Sequence, residues 1–502
     1  MEKRLAAVAD LMVAEMREAA GVHAYDGVVQ DLSPEGVRAG LARLGGAARR
    51  EPHDEAHLAA FEDWLRVFYG DLETHRSNPY PHLENLDVAC YDRTYAPEAD
   101  RSAARRRHVA AWPQAVDAAI QSLTRVPAPV ADALLPATRG LAAGLPDDLA
   151  ADERRQAEGA VSRLVAHLEH AAREGDPDAA IGGDALTRLL SSSEAIPVDL
   201  HHLARRADAE RDRLRAMLDE ACERVRPGGT AAEVVTELLR DHPDDNGVLD
   251  EARAQVDEVL EFTRARDLVP GLDGECLVGP SPPSRRWAMA MMSWAGPHED
   301  DAPSWYHVTP PDESWPADEQ EEWLEVFSRT TLPAITVHEV APGHFAHGRA
   351  LRRAPSDVRR TLFSGGFIEG WAHYTEELCL EEGFRADDPR FAAGVAIEAL
   401  VRVTRLAVSI GVHTREMTLD DAAARFETDA FLRGPAARSE AARATFNPTY
   451  GCYTWGKLEL RALRDEAQMK WGRRYSHQRF HAALLELGAP PLGLIGAALG
   501  EE

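Results

Sequence analysis

Ala157-Glu-Gly-Ala-Val161-Ser-Arg-Leu164-Val165-Ala-His-Leu168-Glu-His-Ala171-Ala172 sets the reading of the fold. Its apolar positions recur at three- and four-residue steps and form one stripe of a helix with about 3.6 residues per turn. The same period continues through Leu214, Met217, Leu218, Ala221, Cys222 and Val225, and again through Ala252, Val256, Val259 and Leu260. Breakers such as Pro127-Ala-Pro129, Gly175-Asp-Pro177 and Pro227-Gly-Gly229 separate these helices. At the amino end, residues 1–21 mix acids into an apolar stretch and predict an amphipathic helix, not a signal peptide. Near residue 265 the period gives way to Pro- and Gly-rich sequence. That divides the chain into an N-terminal helical lobe, 1–265, and a second lobe, 266–502, both parts of one unit. Ala288–Trp294 and Ser304–Thr309 are short apolar or aromatic runs bounded by prolines, and they predict two strands of a small sheet. The acidic stretches 299–303 and 310–321 read as surface loops. The expected class is mainly α with a small β-sheet.

Of the 502 residues, 44% are hydrophobic and 28% charged, which excludes wholesale disorder. The 56 basic residues against 84 acidic ones leave a net charge of −28, a surface that repels phosphate backbones and excludes a nucleic-acid partner. Cys90, Cys222, Cys276, Cys379 and Cys452 are scattered and form no C-x-x-C pair, which argues against a disulfide framework and for a reducing compartment. No window approaches the roughly 18 uncharged apolar residues of a membrane span. The expectation is a soluble cytoplasmic protein with no membrane partner; its oligomeric state is not legible.

Chemistry is concentrated in Thr336-Val-His338-Glu339-Val-Ala-Pro342-Gly343-His344-Phe-Ala-His347. Adjacent His-Glu on a helix is the first half of H-E-x-x-H, in which two histidines one turn apart bind zinc and the glutamate handles the proton of a water. Here the fifth position is Pro342, and His344 lies six residues after His338, about 240° around an unbroken helix. The pair works only if Pro342-Gly343 deforms the helix and swings His344 back. Otherwise His338 and His344 are helix-end histidines. A third ligand is offered by Glu369-Gly-Trp371-Ala-His373-Tyr374-Thr-Glu376-Glu377, 25 residues after His344. His373, one turn after Glu369, is placed to bond that carboxylate from behind. Glu369 has an alternative reading as a helix-capping acid, and Glu376 and Glu377 read as solvated charge.

HEVAPGH followed by EGWAHYTEE resembles the paired signature of the bacterial family known as domain of unknown function 885, whose members show H-E-x-x-P-G-H-H and E-G-W-A-x-Y-x-E. Arg405-Leu-Ala-Val-Ser-Ile-Gly411-Val-His413 is similar to that family's R-L-V-V-D-T-G-x-H, Glu440 and Arg443 to its E-x-x-R, and Pro448–Gly456 to its P-G-Q-x-x-x-Y-K-x-G. The likeness spans residues 275–465. Phe345 stands where the family has a second histidine and Ser409 where it has Asp, and one residue is missing within 449–452. The resemblance implies a gluzincin-like metallopeptidase fold, helix-rich, with a deep cleft over the metal helix and the small sheet beside it.

The expected function is a zinc-dependent hydrolase, most directly a metallopeptidase holding one zinc per chain on His338, His344 and Glu369. Manganese or cobalt also suits such ligands. Glu339 is the expected general base. Tyr453, at the family's Y-x-x-G position, is an oxyanion donor or else a core tyrosine. His413 is a second candidate for that role or a satisfied core histidine. Tyr374 accompanies His373 as a supporting residue. Arg405, Arg461 and Arg464 are candidates for holding a terminal carboxylate, with ordinary salt bridges as the alternative. Ser304–Thr309 is an expected edge strand for pairing with an extended peptide. The substrate is a small peptide or amide. The alternatives are a hydrolase of a non-peptide amide or ester, and a non-catalytic relative of the fold. His201-His202 lack a third partner, Gly365-Gly366 is followed by no Gly-Lys-Ser/Thr, and no G-x-S-x-G elbow is present.

Overall fold

The periodic stretches are helices in the computed structural model, which describes residues 2–299 and 301–499, the side chain of residue 246 excepted. The quoted stripe lies on the helix Ala151–Glu174, whose Ala157, Ala160, Val161, Leu164 and Leu168 are buried. Leu200–Val225 and Asp245–Ala265 carry the other two stripes. The amphipathic amino end forms two short helices, Lys3–Ala9 and Val13–Glu18. Helices continue from Leu332 almost to the carboxyl end, and the protein is mainly α with one small sheet.

That sheet has three strands, β1 (Cys276–Pro280), β2 (Ala290–Ser293) and β3 (Ser304–Val308), in the order β1-β3-β2. β3 runs parallel to β1 and antiparallel to β2, with Tyr306 opposite Val278 on one side and Met292 on the other. Both expected strands are present, and β1 joins them. The edge-strand expectation for Ser304–Thr309 is wrong: β3 is central, and its backbone is paired on both sides. The exposed edge on the site side belongs to β2, whose four residues line the cavity described below.

Among the described residues three clusters make up the core. The largest draws on Leu186 through Ile495 and so includes residues from both sides of position 265; a second gathers Leu83–Leu168 with Ala179 and Phe446; a third joins Leu5–Tyr69 to Val358 and Leu362. The stretch 299–303, of which residue 300 lies outside the described residues, is not a simple surface loop. Glu299 is buried and pairs with Arg93 at 2.7 Å. A paired buried charge keeps its partner fixed, because removing either leaves the other without compensation. Within 310–321 the chain is exposed for most of its length but becomes helical from Ala317.

Candidate metal centre

The helix that carries His338 and Glu339 does not kink at Pro342; it ends before it. Leu332–Glu339 is one helix and His344–Leu351 the next. Proline has no N–H to continue the first helix. Val340 leaves the helical region (φ −107°, ψ −84°), and Gly343 caps the second helix with ψ −134°. The turn is held by Ala346 N–H on the Val340 carbonyl (3.0 Å) and by the Trp371 indole N–H on the Pro342 carbonyl (2.9 Å). Gly343 is packed so closely that a Cβ there would stand 1.9 Å from the His338 carbonyl oxygen. The result is the return of His344 to His338, with ring centroids 4.7 Å apart.

Glu369 comes from the helix Gly365–Glu381, capped by the Ser364 side chain. Gly370 on this helix meets Gly456 on Cys452–Trp471 almost backbone to backbone, where an added Cβ would lie 2.5 Å from the Gly456 Cα. That approach sets Tyr453 over the site, stacked 6.0 Å from the His338 ring. The Glu369 Oε2 stands 3.5 Å from His338 Nε2 and 3.2 Å from His344 Nε2, and the ligand atoms of all three residues lie within 4.8 Å of one another.

These residues fit a tetrahedral cation. Ligand atoms about 2.0–2.1 Å from zinc stand roughly 3.3–3.4 Å apart in a tetrahedron, close to the spacing seen. Glu339 Oε2 is buried without a hydrogen-bond partner, an expensive arrangement for a carboxylate unless something else occupies its lone pairs, and Glu369 Oε2 faces only the two imidazole nitrogens that would be its fellow ligands. The four groups line one cavity of about 330 Å³, walled also by Met12, Glu15 and Glu18 from the amino end and by β2. Burial pushes the Glu339 carboxyl up, against the pull of His344 and His338.

Behind the ligands lies a buried polar chain. His338 Nδ1 meets Glu376 Oε1 at 2.7 Å, and the other oxygen of Glu376 meets His373 Nδ1 at 3.3 Å. Arg402 approaches Glu376 at 3.4 Å and pairs with Glu398 at 2.9 Å. Burial opposes ionisation of Glu376, but Arg402 and His373 hold its carboxyl well below the usual carboxylate range. A proton on His338 Nδ1 donated to this carboxylate leaves Nε2 free as a ligand. Glu376→Gln is expected to weaken metal binding about 10- to 100-fold. Competition with a fluorescent chelator measures this, and unchanged affinity would exclude the orienting role.

The expected site residues divide clearly. His338, Glu339, His344, Glu369, Tyr453 and Arg405 come together around the cavity. His373 does not serve Glu369; it bonds Glu376, and burial lowers its pKa to about 3. His413 is away from the cavity, its Nε2 on the Ala444 carbonyl (3.0 Å) and its Nδ1 facing the Ile181 N–H (3.4 Å), the placement of a satisfied core histidine. Tyr374 bonds His481 at 3.0 Å, outside the cavity. Arg405 is taken up by a bidentate pair with Glu440 (2.7 Å twice), Arg464 by Glu381 (2.6 Å) and Arg461 by Glu377 (3.0 Å). Glu376 and Glu377 are buried, not solvated: Glu377 also meets Lys457 at 2.7 Å. Arg402, Glu398 and Arg443 had no reading as site residues. The one sequence signal for the first two is their i, i+4 spacing with opposite charge.

Two solved structures share the fold along nearly the whole chain. One, "a putative lipoprotein of unknown function from Shewanella oneidensis", aligns over 99% of both chains with a TM-score of 0.75 and 20% identity. The other, "the putative lipoprotein from Colwellia psychrerythraea", aligns over 99% of this chain and 96% of its own with a TM-score of 0.78 and 15% identity. These descriptions overturn the cytoplasmic expectation, since the fold occurs in proteins described as lipoproteins. The physical reason lies in the cysteines. Cys90, Cys222 and Cys379 are buried free thiols that act as small apolar side chains, so they carry no information about the redox state outside. Among the described residues no helix is long and apolar enough to cross a membrane. No curated protein matches the chain. The profile of the family described as "Bacterial protein of unknown function (DUF885)" matches residues 15–499, and the chain belongs to that family.

Proposed function

We propose that the chain is a zinc-dependent hydrolase, a metallopeptidase of gluzincin type that cleaves short peptides. The observation that carries this reading is the convergence of His338, His344 and Glu369 within 4.8 Å beside the unbonded Glu339 carboxylate. When bound, zinc supplies Lewis acidity, lowering the pKa of a water from about 15.7 to about 7 and polarising a carbonyl. The rest is done by the chain. Glu339 takes a proton from the attacking water at Oε2 and returns it to the leaving amine. Its burial raises the carboxyl's proton affinity, which suits a group that must hold a proton between two transfers. Tyr453, a phenol that is protonated at pH 7 and that burial pushes further up, donates its O–H to the oxyanion that develops on the substrate. Glu376 fixes the tautomer of His338. Met292, Trp294, Ile335 and Val401 give the cavity apolar walls that exclude bulk water.

A volume of about 330 Å³ sits at the lower end of small-molecule sites and favours short substrates over folded proteins. Two proteins of the same fold described as lipoproteins support action outside the cytoplasm. The test is digestion of a peptide library by the purified protein with and without a chelator. Cleavage that chelation abolishes and zinc restores is expected. Hydrolysis of other amides or esters with no peptide cleaved would instead give the non-peptide reading.

A further inference from the structure

Three buried arginines, Arg402, Arg405 and Arg443, line the cavity that holds the metal ligands. Two already have carboxylate partners: Arg402 pairs with Glu398 and Glu376, and Arg405 with Glu440. Arg443 has none. It is 7% exposed, its Nε has no hydrogen-bond partner, and among the described residues no carboxylate forms an ion pair with it. Its Nη2 donates to the Tyr453 hydroxyl at 3.3 Å. The rings of Trp287, Tyr450 and Tyr453 surround its Cζ at 5.3, 5.8 and 6.0 Å. Such rings hold a guanidinium in place and strip its water, but they do not neutralise it. Glu440, one helical turn before Arg443, acts on it electrostatically, but that carboxylate is held by a bidentate pair with Arg405. A guanidinium stays charged in proteins, and a buried one that shares a carboxylate only at longer range leaves room for an anion carried by a ligand.

Position narrows the ligand. The Tyr453 ring lies 6.0 Å from the His338 ring and 6.0 Å from the Arg443 Cζ, so one side chain links the two. At about 3.3–3.6 Å per extended residue, the guanidinium is within reach of the end of a short peptide lying across the metal ligands. The planar fork of arginine matches a carboxylate. From the unpaired Arg443 in the wall of the metal-ligand cavity, we propose that it anchors the free α-carboxylate of the substrate, so that the protein takes short peptides by their carboxyl ends. Its catalytic meaning rests on the hydrolase reading above; the binding itself rests on the geometry of Arg443 alone.

Calorimetry on the zinc-loaded protein with acetyl-dialanine, its C-terminal amide and acetyl-aspartyl-alaninamide separates these levels. The wild type is expected to bind the free acid at least about 30-fold more tightly than either amide. Arg443→Met should reduce that preference to within about threefold, and Arg443→Lys should keep part of it. Equal binding of acid and amide, binding of none of the three, binding of the aspartyl amide as tightly as the free acid, or a preference that survives in Arg443→Met would each overturn the proposal. The wild-type comparison needs no variant to fold, and thermal melting checks Arg443→Met. Hydrolysis is followed in the same samples. Acid-selective binding without cleavage leaves the anchor standing and removes the hydrolase reading; cleavage of acid and amide alike does the reverse.

Discussion

Glu339→Gln is expected to lower kcat for peptide hydrolysis about 10³- to 10⁴-fold while zinc stoichiometry stays at one per chain. The amide preserves the shape of the side chain but accepts no proton. The His338, His344 and Glu369 side chains, the proposed ligands, are unaffected by the change. Because Glu339 is buried with Oε2 unbonded, glutamine also removes a buried carboxylate that no hydrogen bond satisfies, and the variant should keep about the stability of the wild type. Loss of activity together with unchanged or raised thermal stability separates a chemical role from a structural one. Turnover at the wild-type rate would remove Glu339 from the mechanism.

Gly343→Ala is expected to cost about 3 kcal/mol or more of stability and to reduce zinc affinity at least about 100-fold. The added Cβ would meet two backbone carbonyl oxygens, His338 O at 1.9 Å and Val337 O at 2.5 Å, and neither can swing aside as a side chain does. To admit the methyl group, the turn between the two helices must open. Opening it separates the rings of His338 and His344, so folding and metal binding are disrupted together. Gly159→Ala provides the control. Nothing lies within 4 Å of its Cβ, the site is inside the helix Ala151–Glu174, and alanine should stabilise it by about 0.5–1 kcal/mol. Denaturant melts and zinc titrations on both variants check the pair. A Gly343→Ala protein that binds zinc normally would contradict the role given to the turn.

Why some features were legible and others were not follows from where their partners lie. The helix Ala151–Glu174 keeps one face in water, so its stripe is written in the sequence. Pro389–His413 is buried along nearly its whole length, and its apolar residues show no single stripe. β1 is only Cys276–Pro280 and ends in proline; what makes it a strand is its parallel pairing with β3, 28 residues on, which no local pattern encodes. The convergence of His338, His344 and Glu369 could be anticipated because the chemistry proposed for them fixes their residue types and order. The break at Glu339 is sharper than the expected deformation, but the same proline and glycine cause it.

Glu376 escaped because an acid on a helix reads as solvated until its partner is known, and His338 is 38 residues away. Arg443 escaped for the opposite reason: its interest lies in the carboxylate it lacks. For His413 and Arg464 the alternative readings fit their placement, because a motif gives position along the chain and not side-chain direction. At about 1.5 Å per residue, His413 lies roughly 12 Å beyond Arg405 on its helix, and Arg464 roughly 16 Å beyond Tyr453. Both distances carry the side chain past the cavity and into ordinary structural bonds.

Metal analysis of the protein as isolated, with no metal added, tests the central claim most directly. One zinc per chain is expected, falling below about one tenth in His344→Ala and Glu369→Ala, with peptide hydrolysis lost in parallel. A protein free of transition metal that cannot be loaded, or one whose metal content is indifferent to both substitutions, would contradict it.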